Sequence, residues 1–118
     1  MATFKPVIAL IAMALALLVL AAACGGGGPK DYTFTIRVQQ GQPVGGASTY
    51  QVKKDDTVTF SISSDTAGEA HLHGYDLSVD MEPGEAVTLQ LTASATGRFP
   101  IEIEDTEVEI GYLEVQPR

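Results

Sequence analysis

The sequence predicts an all-β protein: a single antiparallel β-sandwich or barrel that follows an N-terminal signal segment. Two observations carry this prediction. About seven or eight short stretches alternate apolar and polar residues at near-regular spacing, and turn residues separate them. After residue 30, no stretch convincingly shows the apolar period of a soluble helix.

The N-terminal segment has the pattern of an export signal. Residues 7–23 carry no charge, and this run is short for a membrane span but suits the apolar region of a signal peptide. Small residues directly precede Cys24, the single cysteine of the chain. This arrangement resembles the cleavage site of bacterial lipoproteins, which implies a signal peptide over residues 1–23 and lipid attachment at Cys24. An uncleaved anchor helix is the alternative interpretation.

The rest of the chain divides into a tether and one domain. Residues 24–31 are rich in glycine and predict a flexible tether, and residues 32–118 form the β-domain. Removing residues 1–23 takes away one of the seven basic residues and none of the fifteen acidic ones, so the formal charge changes from −8 to −9. Such a surface repels nucleic acid and anionic lipid. We therefore expect no nucleic-acid partner, and contact with the lipid bilayer only through an acylated Cys24.

Alternation predicts the strands of the first half in order. Residues 32–38 alternate strictly and predict a half-buried strand. A loop with glycine and proline covers residues 39–48. A short strand at 49–52 and a charged turn at 53–56 follow, and residues 57–62 alternate again.

The second half begins with a bent strand over residues 69–79, because the apolar alternation changes parity near Gly74. Pro83 and Gly84 occupy the central positions of a predicted type II turn. Pro100 cannot donate to a strand ladder, so its amide side is expected at an edge or a bulge. Three further strands are predicted at 86–91, 98–103 and 111–115.

The candidate metal ligands are His71 and His73, the two histidines of the chain. Residues two apart on a strand project from the same face, so two neighbouring imidazoles can hold one transition metal. The other interpretation is a pair of solvated rim residues hydrogen-bonded to Asp76 or Glu69. Asp76 is also a candidate either to orient an imidazole or to cap a turn.

Five motifs, taken in order, resemble a cupredoxin domain. They are residues 52–60, the histidine strand, and residues 81–85, 97–101 and 111–115. The resemblance runs from about Tyr32 to Val115 and implies a Greek-key sandwich or barrel of the cupredoxin type. The His71–Asp76 run also resembles a group of small exported, often lipid-anchored cupredoxin-like proteins of poorly defined function.

The same resemblance shows which ligands are missing. Cupredoxins bind copper through an early histidine and, near the C-terminus, through a cysteine, a second histidine and usually a methionine. The early histidine corresponds to His71 or His73, but the place of the cysteine is Ile103 and that of the methionine is Glu109. Because a type 1 copper site needs the thiolate, the sequence excludes electron transfer through type 1 copper.

Carboxylates occupy the segment where the missing ligands belong. Five acidic residues lie close together there: Glu102, Glu104, Asp105, Glu107 and Glu109. The fold that the resemblance implies brings this loop to the end of the barrel where the histidines lie. We predict a copper or zinc site formed by His71 and His73 with Glu104 or Glu109. The alternative is the solvated face of an edge strand.

These observations predict an exported, lipid-anchored binding module of the bacterial cell envelope. It is expected in the cell membrane or the outer membrane, facing the periplasm or the cell exterior. A metal-free accessory domain that contacts an envelope protein is the second hypothesis. An enzyme with a mononuclear metal site is the third, but we expect no catalysis, because the mature chain has no P-loop, dinucleotide motif or nucleophile elbow.

Overall fold

The computed structural model describes residues 27–118, which form nine β-strands and no helix. The predicted signal segment and Cys24 lie outside these described residues. No helix within them is long and apolar enough to cross a membrane. The strands are β1 (Asp31–Gln39), β2 (Gln42–Pro43), β3 (Ser48–Lys53), β4 (Thr57–Ser64), β5 (Gly68–Leu72), β6 (Leu77–Met81), β7 (Ala86–Thr92), β8 (Gly97–Ile103) and β9 (Val108–Gln116).

The strands form two sheets that pack as a sandwich, which confirms the predicted all-β class. Sheet one has the strand order β2-β1-β4-β7, and sheet two has the order β3-β9-β8-β5-β6. Both sheets are mixed where the sequence predicted an antiparallel arrangement, because β1 pairs with β4 and β3 pairs with β9 in parallel. Side chains alternate in the same way in parallel and antiparallel strands, so the alternation in the sequence does not show how two strands pair.

The core lies between the two sheets and consists of the inward side chains that alternation identified. Phe60 and Ile62 from sheet one meet Leu72, Ile101 and Leu113 from sheet two, and each is at most 1% exposed. Burying such a side chain contributes about 1.5–3 kcal/mol. The outward residues of the same strands are therefore the ones free to form a site.

The histidine stretch is a hairpin and not one bent strand. β5 ends at Leu72, a four-residue turn follows, and β6 begins at Leu77, which pairs with Leu72. Gly74 in this turn has a φ of 83°, and a Cβ there would lie 2.3 Å from a ring carbon of Phe99. Glycine at this position therefore permits both the reversal and the close approach to the aromatic ring.

The acidic segment lies on two internal strands and the loop that joins them, so it is not the face of an edge strand. Glu102 is on β8, Glu109 is on β9, and the other three acidic residues are in the loop between them. β9 and β8 occupy the second and third places of sheet two, with β3 and β6 at the edges. Residues 101–103 of β8 pair with β5, so Pro100 lies just before the paired stretch. The register between β8 and β9 shifts close to Pro100, between Ile101 and Glu102. The bulge pairs Glu102 with Glu109 and leaves Ile110 as the extra, buried residue.

Candidate metal centre

His71 lies on the outer face of sheet two, and His73 is the first residue of the turn that follows β5. His71 stands between Ala70 and Leu72, which are fully buried, so alternation directs its imidazole away from the core. The peptide N–H of His73 donates to the carbonyl of Pro100 at 3.0 Å. The two imidazole centroids lie 4.4 Å apart, which confirms the predicted same-side pair. The sequence placed this pair near the end of a strand, at the end of the barrel. The structure places His71 on the sheet face and His73 in the turn at the end of β5.

Two carboxylates approach the His71 ring from opposite sides. Oε2 of Glu104 lies 3.0 Å from Nδ1, and Oδ1 of Asp76 lies 3.3 Å from Nε2. Nδ1 is buried and has no hydrogen-bond partner among the described residues, because the approach of Glu104 lacks hydrogen-bond geometry. An Nε2–H that donates to Asp76 leaves the lone pair of Nδ1 beside the Glu104 carboxylate. A cation between these two atoms would satisfy both.

The loop between β8 and β9 positions Glu104. The N–H of Glu104 donates to the carbonyl of Glu69 at 2.9 Å, which ties the start of the loop to β5. The N–H of Glu107 donates to the carbonyl of Ile103 at 2.8 Å and closes the loop. The Glu104 carboxylate is thus held beside His71 while its side chain stays 50% exposed.

Glu102 holds the second histidine. Its Oε1 lies 2.5 Å from Nε2 of His73, and its backbone is the cross-strand partner of His71. The Glu102 side chain is only 18% exposed, so this contact is partly shielded from water. Sequence reasoning placed Glu102 in the acidic cluster but did not identify it as a histidine partner, because the register between β5 and β8 is a long-range property.

Three side chains converge well enough to hold one metal ion: His71, His73 and Glu104. Each offers one ligand atom, and these atoms all lie within 4.8 Å of one another. Two imidazole nitrogens and one carboxylate oxygen are a donor set that suits copper and zinc.

The fourth predicted ligand, Glu109, has a different neighbour. Its carboxylate accepts a hydrogen bond from the hydroxyl of Tyr112, and this bond raises the pKa of Tyr112. Glu109 does not belong to the convergent group found among residues 27–118. Its role as a ligand stays a prediction, and the geometry favours Glu104.

The residues at the copper-ligand positions of a cupredoxin do not fit type 1 copper. Ile103 stands where the resemblance places the cysteine and is 6% exposed within the hydrophobic core. Glu109 stands where it places the methionine. A type 1 site needs a thiolate, and a buried isoleucine offers only carbon. The convergent group found among residues 27–118, His71 with His73 and Glu104, lies away from these positions.

Comparison with known proteins agrees with this fold. No protein-family model and no curated protein matches the chain. A chain from the cryo-EM structure of a heme-copper terminal oxidase dimer is similar with a TM-score of 0.61 at 16% identity, over 97% of each chain. A copper-binding protein solved by NMR in its apo form gives a TM-score of 0.59 at 14% identity, over 78% of this chain and all of that one. These similarities are consistent with a cupredoxin-like fold. At such low sequence identities they are evidence for the fold alone.

Proposed function

We propose that this protein is an exported, lipid-anchored module that binds one copper or zinc ion through His71, His73 and Glu104. One observation carries the proposal: the buried Nδ1 of His71 has no hydrogen-bond partner within residues 27–118, yet it lies 3.0 Å from a carboxylate oxygen. A nitrogen lone pair and a carboxylate at this distance are complementary to a cation. The similarity in fold to a copper-binding protein supports the same conclusion.

The donor set determines the class of metal. Magnesium and calcium prefer oxygen ligands throughout, whereas imidazole suits zinc and copper. The site has no sulfur ligand, so it favours Cu(II) over Cu(I) when copper is bound. A metal held on an outer face by three protein ligands can exchange with a partner, and the proposed role is therefore carriage or sequestration without redox chemistry.

The surrounding carboxylates complete the site. Asp76 contacts the ring nitrogen of His71 that faces away from Glu104, and Glu102 contacts Nε2 of His73. Such contacts fix the tautomer and the orientation of an imidazole and strengthen it as a ligand. In this proposal Glu102 and Asp76 position the ligands, and Glu104 binds the metal.

Calorimetric titration of the mature chain with Cu(II) and Zn(II), in a buffer that does not chelate metals, tests the proposal. We expect one-to-one binding at micromolar affinity or tighter, and its loss in the double variant His71→Ala plus His73→Ala. Melting of both proteins in the presence of a chelator checks that the double variant is folded. Unchanged affinity in a folded double variant would contradict the proposal.

A metal-free interaction domain of the cell envelope is the second candidate. It is favoured by the carboxylate partners of the histidines, since His71 meets Asp76 at 3.3 Å and His73 meets Glu102 at 2.5 Å, and such pairs can hold both rings by themselves. In that case the acidic outer face of sheet two would contact a protein partner. Absence of metal binding in the titration, together with co-purification of an envelope protein that depends on this face, would favour this candidate.

A further inference from the structure

Arg118 joins the C-terminal end of the described chain to its N-terminal end. Its Nε donates to the carbonyl of Lys54 at 3.1 Å, and its Nη1 donates to the carbonyls of Gly27 and Gly28 at 3.2 Å each. Its Nη2 donates to the carboxylate of Asp56. The guanidinium therefore uses both of its Nη groups and its Nε to hold one corner of the domain together.

Asp56 is the buried residue of this corner. It is 2% exposed and accepts the backbone N–H groups of Lys30 and Lys53, each at 2.8 Å. The sequence predicted a flexible tether over residues 24–31, but the structure attaches the chain to the domain from Gly27 onward. Cys24 is three residues before Gly27, so its Cα lies at most about 11 Å from that of Gly27.

The same corner holds most of the positive charge, and we call it the basic pole. Four of the six basic residues among residues 27–118 lie there: Lys30, Lys53, Lys54 and Arg118. Lys30, Lys53 and Arg118 line a cavity of about 270 Å³. Three of the fifteen acidic residues accompany them, at positions 31, 55 and 56. The pole thus has a formal charge of about +1, and the remaining twelve acidic and two basic residues give the rest of the domain about −10.

The acidic loop lies at the other end of the molecule. β9 runs from Val108, directly after the Glu104–Glu107 loop, to Gln116, whose carbonyl accepts the N–H of Lys54 at 2.8 Å. Nine residues of strand span roughly 30 Å. The basic pole and the acidic loop therefore lie at opposite ends of the strands, a separation that the net charge of the domain does not show.

We propose that the basic pole is the surface with which the domain contacts its membrane, and that its partner there is the anionic phospholipid surface. This inference rests on the proposed acylation of Cys24. The short reach from Cys24 leaves the pole within about one Debye length of the headgroups, while the acidic loop lies about three Debye lengths away and is screened. Lysine and arginine near such a surface are attracted to it.

This orientation changes what the net charge alone predicts about contact with the membrane. The overall negative charge predicted that only the lipid on Cys24 would contact the bilayer. With the pole toward the headgroups, the loop that carries Glu104 points away from the membrane. A soluble partner would then approach the domain from its acidic end.

Energy transfer from the domain to headgroup-labelled lipid tests this orientation. The acylated full-length chain is reconstituted in vesicles of phosphatidylglycerol with phosphatidylcholine, or of phosphatidylcholine alone. A fluorophore is attached either at Ser94→Cys, next to the pole through the Ala93–Asp56 backbone bond, or at Thr106→Cys in the acidic loop. We expect transfer about twofold or more higher from position 94 than from position 106 in the anionic vesicles.

Two single variants with the same charge change decide whether the pole is responsible. Lys54→Gln should reduce the difference between the probes toward its value in phosphatidylcholine, whereas Arg37→Gln, at the end of β1 far from the pole, should leave it unchanged. Equal energy transfer from both probes in acylated protein would overturn the proposed orientation but not the proposed lipid anchor. If mass spectrometry finds Cys24 unacylated in the native cell, both the orientation and the lipid anchor are overturned. Neither result bears on the proposed metal binding.

Discussion

His71 is the residue on which the candidate site depends most. Its ring lies between Glu104 and Asp76, and its side chain is only 18% exposed. These two contacts decide which nitrogen faces the proposed metal. Of the two carboxylates that the sequence offered as further ligands, Glu104 lies against this ring and Glu109 binds Tyr112.

Glu104→Gln and Glu109→Gln therefore form a matched pair of variants. Each removes one negative charge from the same acidic segment. We expect Glu104→Gln to weaken copper or zinc binding by about tenfold or more, because a ligand oxygen is lost. Glu109→Gln should leave the dissociation constant within about twofold of the wild type, because only long-range charge changes. Calorimetric titration measures both, and equal losses would contradict the assignment of Glu104.

Asp56 is the second residue whose environment has a measurable consequence. Burial alone would raise the pKa of its carboxyl, but hydrogen bonds from the backbone of Lys30 and Lys53 and from Arg118 outweigh burial and lower it. A lowered folded-state pKa means that the ionised carboxylate stabilises the fold above the unfolded-state pKa. That contribution is lost as the pH falls through the folded-state pKa.

We expect Asp56→Asn to reduce the free energy of unfolding at pH 7 by about 2 kcal/mol, because hydrogen bonds to a charged group are lost. The difference from the wild type should begin to narrow below about pH 4, the unfolded-state pKa of an aspartate, and should close as the pH falls through the lower folded-state pKa of Asp56. Urea denaturation across this pH range measures it. Asp55→Asn, an exposed neighbour, is the control and should behave like the wild type; a difference that does not narrow with acid would contradict the argument.

At the scale of elements, two hairpins build the site. The β5–β6 hairpin carries both histidines, and the β8–β9 hairpin carries Glu102 and Glu104. They meet because β5 pairs with β8, which sets His71 opposite Glu102. The turn of the first hairpin depends on Gly74, which packs against Phe99.

Gly74→Ala is expected to destabilise the domain by about 3 kcal/mol. The new Cβ would lie 2.3 Å from Cδ1 of Phe99, at a φ of 83°, so steric overlap adds to backbone strain. Gly41→Ala is the matched control, since Gly41 has a φ of 72° but no atom within 4 Å of its Cβ position. It should cost about 1 kcal/mol from strain alone. Equal losses in urea denaturation would show that the contact with Phe99 is not important.

At the scale of the whole molecule, the domain combines a separated charge distribution with a site on one sheet face. Three carboxylates contact the histidines: Asp76, Glu102 and Glu104. Like charges at this spacing repel one another, and a bound cation would reduce that repulsion. The unfolded chain does not hold these groups together, so metal should bind the folded state only. Bound metal should therefore raise the free energy of unfolding.

The domain should therefore melt at a higher temperature with copper or zinc present. At a free metal concentration of one hundred times the dissociation constant, binding adds about 2.7 kcal/mol, which corresponds to a rise of roughly 10 °C or more for a domain of this size. Scanning calorimetry measures the rise. The variant His71→Ala plus His73→Ala should show none, and a melting temperature indifferent to metal and to chelators would favour the metal-free candidate.

Local sequence patterns determined most of the elements of this protein. Alternation located the main strands, because the side-chain period of two is a property of each strand by itself. The turn at Pro83 and Gly84 is confirmed, with Gly84 at a φ of 78° and the N–H of Glu85 donating to Glu82 at 3.1 Å. The same period put His71 and His73 side by side.

Only the tertiary structure decided which residues the histidines meet. The register between β5 and β8 and the contact of Glu104 with His71 join segments about thirty residues apart. The bulge between Ile101 and Glu102 is a further detail of pairing, within the β8–β9 hairpin. A periodic pattern shows which face a side chain is on, but it does not show which strand lies next to it. For the same reason the basic pole, assembled from both ends of the chain around Asp56, could not be read from the sequence.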